Sequence, residues 1–301
     1  MKAVVLKGYG DVDVLAVQEM PEPKVGPGEV KVRVTAAGIN PVDWKIRRGD
    51  MKGRMDLKFP TILGRDVAGE VVEVGTGVED FEPGDRVMGL VNAGYAETVV
   101  APTEAWAKVP DNLDLRAAAA LPLVTLTGTQ LIEEHVRPSQ GETVLVTGAL
   151  GAVGRSAVFA ARARGAKIWA GVRKTQVEEA RKLGVDGVVA LDDPKDVAKL
   201  PTLDAVADTV GGEAVAAVLD KVKHGGTVGS VLGEPKGAKE KGLVVRSFMA
   251  HPDARRLEQI AVSAAKGDLV IPISRTFKLD DAREAQKVAE QGGVGKVLLV
   301  N

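Results

Sequence analysis

Short apolar runs rich in β-branched residues, separated by closely spaced polar turns, fill the first third of the chain. Residues 1–6, 29–36, 67–74, 86–90 and 95–101 read as strands on this pattern. Gly26-Pro27-Gly28, Gly75-Thr76-Gly77 and Pro83-Gly84-Asp85 supply the fixed or positive φ that the turns between them need. Many short strands at such spacing predict a barrel or sandwich.

From about Arg116 the period lengthens and helices alternate with strands. Residues 143–147, 167–171, 187–191, 205–208 and 227–232 are apolar strands, and 152–164, 176–183 and 213–221 have helical periodicity. Strands separated by helices predict βαβ units and a parallel sheet, with right-handed crossovers placing helices on both faces. The tail returns to a β pattern at 271–279, followed by a helix at 281–291 and a strand at 296–300. We read the tail as closing onto the first domain. The expected fold is α/β: a doubly wound parallel-sheet domain over residues 116–266, and a mainly β domain over 1–115 and 267–301.

Composition narrows the function classes. The 301 residues suffice for two domains, and 45% apolar with 27% charged residues is an ordinary globular balance. Forty basic and 41 acidic side chains leave no electrostatic footprint for nucleic acid or anionic lipid. The longest charge-free stretch, 117–132, carries Pro122 and Gly128 and falls short of the roughly 20 apolar residues of a membrane span. The first 11 residues lack the long apolar run of a secretory signal, so a cytoplasmic protein without membrane insertion is expected. The chain has no cysteine, which rules out disulfides, thiol nucleophiles and thiolate-held zinc. His135, His224 and His251 stand far apart in sequence, without metal-ligand spacing.

The strongest local signal is Thr143-Val-Leu-Val-Thr-Gly-Ala-Leu-Gly-Ala-Val-Gly154, a strand that runs into a glycine-rich turn and then a helix. That context is what a dinucleotide fingerprint requires. Gly148, Ala149, Leu150, Gly151, Ala152, Val153 and Gly154 are the candidate pyrophosphate-binding residues. Gly151 would let the backbone approach the phosphates, and Gly154 would let the helix pack on the sheet. Ala149 stands where the first glycine of the pattern belongs. A plain strand–turn–helix with reversal glycines is the competing reading.

About 20 residues past the turn, an NAD site places a carboxylate on the ribose hydroxyls. Here the stretch reads Gly171-Val-Arg173-Lys174, with no acidic residue before Glu178. Two cations at that place favour a 2′-phosphate, hence NADP(H), with guanidinium suited to bidentate contact. Arg173 and Lys174 facing solvent is the alternative.

The turn residues resemble those of the zinc-free quinone oxidoreductase and enone reductase branch of the medium-chain dehydrogenases/reductases, which commonly carries Ala at the position of Ala149. The resemblance runs along nearly the whole chain: Ala37-Gly-Ile-Asn-Pro-Val-Asp-Trp-Lys45, Ile62-Leu-Gly-Arg-Asp-Val-Ala-Gly-Glu70, Phe81-Glu-Pro-Gly-Asp-Arg-Val87, Asp208-Thr-Val-Gly-Gly212 and Val294-Gly-Lys-Val-Leu298. Within the branch, the runs at 40–45 and 66–75 look closest to the enone-reducing and chloroplast-envelope quinone oxidoreductase-like members. The resemblance implies a GroES-like first domain and a Rossmann second domain. Zinc-dependent relatives carry a cysteine in the segment matching 37–43 and a Gly-His-Glu where this chain has Gly64-Arg65-Asp66.

The resemblance also implies roles. Asn40 and Asp43 would border the nicotinamide and the substrate, with Asn40 donating to a developing oxyanion, although Asn before Pro is also a common turn starter. Trp44 would form a substrate wall or pack in the core. Tyr95 would supply a proton or serve structure, with water as the other proton source. Thr127 would lie near the nicotinamide or phosphates, Val231, Leu232 and Gly233 would meet the carboxamide, and Lys296 would lie near the cofactor or in solvent.

Without a metal or thiol, hydride transfer to a conjugated acceptor is the accessible chemistry, because the charge formed is delocalised. The expected activity is NADPH-dependent reduction of a small-molecule quinone, enone or alkenal. A non-catalytic NADPH-binding sensor or crystallin-like protein is the alternative. A homodimer joined through an edge strand near 243–248 is expected, with no nucleic-acid partner.

Overall fold

The structure is a computed structural model that describes residues 1–293 and 295–301. Val294, within the resemblance segment 294–298, lies outside the described residues. The chain forms two compact units, Met1–Leu123 with Pro252–Asn301, and Val124–His251.

The first unit is mainly β. Its strands begin with β1 (Lys2–Leu6), β2 (Leu15–Glu19) and β3 (Glu29–Gly38), followed by helix α1 (Pro41–Arg48) and β4 (Thr61–Ile62). Then come β5 (Asp66–Val74), β6 (Arg86–Leu90), β7 (Thr98–Pro102), β8 (Trp106–Lys108) and the short helix α2 (Leu115–Ala119). The strand expected from residue 95 starts at Thr98. Tyr95 and Ala96 are engaged elsewhere, Tyr95 N donating to Leu63 O at 2.9 Å and Ala96 bridging to Ala3.

Helix α1 was not expected from the sequence, yet its ends are well specified. Pro41 opens it, the Asp43 carboxylate reaches back to the Asn40 N–H at 2.7 Å, and Gly49 closes it at φ +89°.

The second unit starts within helix α3 (Pro122–Gln130) and contains β9 (Thr143–Thr147), α4 (Ala152–Ala163), β10 (Lys167–Val172), α5 (Val177–Arg181) and β11 (Gly187–Ala190). It continues through α6 (Pro194–Val197), β12 (Leu203–Asp208), α7 (Gly212–Ala216), β13 (Val222–Ser230) and β14 (Val244–Ser247). All five neighbouring pairs of its sheet are parallel, in the order β11-β10-β9-β12-β13-β14. This is the Rossmann order, and the direction of winding reverses between β9 and β12. Ligands of such sheets lie beyond the carboxyl ends of the strands at that reversal.

The chain then returns to the first unit through α8 (Ala254–Ala265), β15 (Ile273–Lys278), α9 (Ala282–Glu290) and β16 (Lys296–Val300). Sequence reading placed the domain joins at 115/116 and 266/267, whereas the compact units join at 123/124 and 251/252. The difference has a packing cause. α2 lies on β3 and β5, and α8, which buries Leu257, Ile260 and Ala261 on one face, lies on β6 and β8. Strand β16 pairs antiparallel with β3, Leu298 opposite Gly38 and Val300 opposite Ala36, so the tail completes the first unit's larger sheet.

Candidate active site

In the second unit, β9 delivers Thr147 to the glycine turn at the winding reversal. Gly148 has φ +65°, and a Cβ there would come within 2.8 Å of Thr209 Oγ1 and Val210 Cγ1. Gly154 sits against the turn, where a Cβ would lie 2.1 Å from Gly148 O. Ala149 is fully buried in the apolar core beneath the sheet, so the methyl that departs from the glycine pattern fills space there.

Helix α4 begins at Gly151, which brings no side chain to cap it. Its first N–H groups therefore point out of the helix end without intrahelical partners, together with the positive end of the helix dipole. The exposed Gly151, half-buried Ala152 and Val153, and buried Leu150 and Gly154 surround this end. An uncapped helix end behind an open glycine turn fits a dinucleotide pyrophosphate.

Gly171 is buried near the end of β10, packed against Leu191. Arg173 and Lys174 follow, both exposed, and they differ in environment. The Arg173 guanidinium has no partner among the described residues. Lys174 Nζ is ion-paired with Asp193 Oδ2 at 2.9 Å, and its N–H donates to Asp192 Oδ1 at 2.7 Å. The hydrogen bond that Lys174 Nζ donates to Asp193 pushes the Lys174 pKa up. Two carboxylates from beyond β11 thus stand next to the basic pair, a neighbourhood that spacing along one strand could not reveal.

Val231 is half-buried, and Leu232 and Gly233 are exposed just past β13. Leu232 and Gly233 border a cavity of about 410 Å³ at the carboxyl ends of β12 and β13. Thr127 is half-buried on α3, one residue before Gly128, where a Cβ would lie 2.5 Å from Ser156 Cβ of α4.

In the first unit, Asn40, Asp43, Tyr95 and Lys296 converge with Asp66 into one buried network. Lys296 Nζ donates to Asn40 Oδ1 (2.6 Å), Ile39 O (3.0 Å) and Asp66 Oδ2 (3.1 Å). Asn40 Nδ2 donates to Asp66 Oδ2 (2.8 Å) and Gly38 O (3.4 Å), and Leu123 N–H donates to Asp66 Oδ1 (2.7 Å). Tyr95 Oη donates to Asp43 Oδ2 at 2.6 Å.

This geometry changes the expected roles. Both amide donors of Asn40 are already engaged, so the oxyanion-donor role expected for it is not supported by its hydrogen bonds. Tyr95 is fully buried with its proton committed to Asp43, and burial raises its pKa well above the ordinary value. Burial likewise pushes Asp43 up to about 6, against the lowering pull of the Tyr95 hydroxyl and the Asn40 N–H. Its Oδ1 is buried without a partner. Lys296 was expected beside the cofactor or in solvent; it is buried in this network. The sequence reading singled out neither Asp66 nor the fully buried Arg47. Arg47 pairs with Glu290 at 2.6 Å and Asp11 at 3.1 Å, anchoring the helix that also carries half-buried Trp44 against the β core.

No group of three or more His, Cys, Asp or Glu side chains among the described residues is placed to hold a metal ion. Among them, too, no helix is long and apolar enough to cross a membrane.

Comparison with known proteins agrees with this architecture. Residues 26–111 match the alcohol dehydrogenase GroES-like domain family, and residues 183–299 match the zinc-binding dehydrogenase family. The chain is 30% identical to a chloroplast envelope quinone oxidoreductase homolog of Arabidopsis thaliana, over 93% of this chain and 92% of that one. It is also 30% identical to a mitochondrial NAD(P)H oxidoreductase of Mus musculus, covering 100% of this chain and 89% of that protein. The quinone oxidoreductase from Coxiella burnetii superposes with a TM-score of 0.90 at 28% identity, over 100% of this chain and 99% of that one. The chain belongs to the medium-chain dehydrogenase/reductase superfamily, among relatives named quinone oxidoreductases, and is an oxidoreductase of that superfamily.

Proposed function

We propose that this chain is an NADPH-dependent reductase that acts, without zinc, on a quinone or an α,β-unsaturated carbonyl compound. The observation that carries the cofactor assignment is Arg173, an exposed guanidinium just past β10 with no partner among the described residues. A dinucleotide resting on the glycine turn presents its adenosine ribose at that strand end. A guanidinium fork suits a 2′-phosphate there. Lys174 contributes less, because Asp193 already holds its Nζ.

NADPH, when bound, supplies a hydride. The chain's own part is to hold and orient it. The uncapped N–H groups of α4 would hold the pyrophosphate, Gly148 and Gly151 keep side chains out of the turn, and the backbone of Val231, Leu232 and Gly233 would meet the carboxamide. The acceptor class follows from side chains missing in the sequence. Arg65 and Asp66 stand where zinc-dependent relatives have His and Glu, and no cysteine exists to complete a zinc site. A saturated ketone would become a strongly basic alkoxide with little to stabilise it, whereas an enone or quinone spreads the charge over its conjugated system. With Tyr95 Oη committed to Asp43, we assign the proton to water. Asn40, Asp43 and Tyr95 become positioning residues that fix α1, and with it Trp44.

The outer edge of β14, where Val244 is exposed, is read as the seam of a cytoplasmic homodimer. Light scattering that gave a monomer would remove that part. The reductase reading is tested with NADPH deuterated at C4 and a cyclic enone. Deuterium on the β-carbon of a saturated product supports hydride transfer, and a product without deuterium contradicts it.

A further inference from the structure

Asp208 ends β12 and is fully buried. Its carboxylate collects hydrogen bonds from three strand ends. Oδ1 accepts from Thr147 Oγ1 at 2.8 Å and from the N–H groups of Gly211 at 2.9 Å and Val210 at 3.3 Å. Oδ2 accepts from Ser230 Oγ at 2.8 Å.

The two hydroxyls extend this network outward. Thr147 Oγ1 accepts the N–H of Thr209 at 2.9 Å, and Ser230 Oγ accepts the N–H of Leu232 at 3.2 Å. A hydroxyl has a single proton, so each is oriented by the carboxylate to accept the adjacent loop N–H. Thr147 is the residue before Gly148, and Ser230 is the residue before Val231. One carboxylate therefore sets the spacing of two loops that leave different strands. Asp208 and Ser230 also line the 410 Å³ cavity, with Leu232, 49% exposed, beside them.

We infer that Asp208 is a positioning residue for the cofactor. Through Thr147 and Ser230 it holds the glycine turn and the Leu232 loop in register, so that a dinucleotide meets both at once. This rests on the reading that those loops bind NADPH. A residue serving stability alone would lower the melting temperature and leave the affinity of the folded protein unchanged.

The test is the NADPH dissociation constant of the full-length protein, titrated by fluorescence, beside the melting temperature without cofactor. Thr147→Val and Ser230→Ala each remove one arm and are expected to weaken NADPH binding about 10-fold, the worth of a hydrogen bond to a charged group. Thr147→Ser keeps the hydroxyl and is expected to restore wild-type affinity. Asp208→Asn is expected to lose more than either single arm, with the KM for NADPH rising by a larger factor than kcat falls. Should Asp208→Asn fail to fold, the two arm variants, which keep the carboxylate and its other donors, carry the test. Unchanged affinity in both arm variants overturns the inference while leaving the NADPH reading intact. Wild-type protein that binds neither NADPH nor NADH overturns both.

Discussion

Lys296 Nζ lies 3.1 Å from Asp66 Oδ2, joining residues 230 positions apart inside the β unit. The contact exists because β16 pairs with β3 while β5 pairs with β3 on its other side. Both partners are buried, and Asn40 hydrogen-bonds to each of them. Removing one charge of such a pair leaves the other unpaired in the interior. Lys296→Met is therefore expected to lower unfolding free energy by about 3–5 kcal/mol in urea titrations. Adding Asp66→Asn to that variant should recover part of the loss. Additive losses would show that the two side chains do not act as a pair.

Asp43 gives the fold a pH dependence of unusual sign. Its pKa is raised from 3.8 to about 6 by burial. The folded state therefore binds the extra proton, and the stabilisation is full below the unfolded value near 4 and is lost as pH rises through 6. A shift of this size corresponds to on the order of 3 kcal/mol. Asp43→Asn keeps an acceptor for Tyr95 Oη and the Asn40 N–H while removing the titration. The melting temperature of the variant relative to wild type should climb between pH 4 and pH 7. Parallel curves across that range would contradict the assignment.

Cofactor preference should depend on two neighbouring charges. Arg173→Ala is expected to raise the KM for NADPH about 10-fold or more, the value of a charge-assisted hydrogen bond, and to leave the KM for NADH nearly unchanged. Asp193→Asn frees Lys174 while retaining an acceptor for the Lys195 N–H that Asp193 caps at 3.0 Å. Because that ion pair is exposed, the gain in NADPH preference should be only about two- to fivefold. Equal changes toward both cofactors would place Arg173 away from the 2′-phosphate.

The two glycines at the start of α4 should separate stability from binding. A Cβ at residue 154 would lie 2.1 Å from Gly148 O, so Gly154→Ala is expected to cost about 3 kcal/mol of stability. At residue 151 the backbone is extended and the nearest atom, Gly148 O, is 3.2 Å away. Gly151→Ala should change stability by less than about 1 kcal/mol and weaken NADPH binding, since its methyl sits at the uncapped helix end. Thermal melts and cofactor titrations on the same samples distinguish the two effects.

The parallel-sheet unit was legible in the sequence because its information is local. Thr143–Thr147 runs directly into Gly148, and the alternation that follows leaves little choice of topology. The β unit was legible as strands and opaque as a network. Nothing near Lys296 in sequence points to Asn40 or Asp66, since their contact depends on the register of β16 against β3. Helix α1 was overlooked because Asn40-Pro41 was weighed as a turn, although Asn, Pro and Asp at the cap, first and third positions form a recognised helix start. Asp192 and Asp193 were missed for a related reason: they reach Lys174 from the neighbouring strand's end, outside the interval in which a ribose-binding carboxylate is sought.

The central claim is tested most directly by steady-state oxidation of NADPH and NADH against a benzoquinone, a naphthoquinone, an alkenal and a cyclic enone. Turnover of at least one acceptor, with kcat/KM for NADPH about 10-fold or more above that for NADH, is the predicted result. Tight NADPH binding with no turnover on any acceptor would contradict the reductase account and point to a binding protein that senses the cofactor. Turnover with NADH preferred would contradict the role given to Arg173.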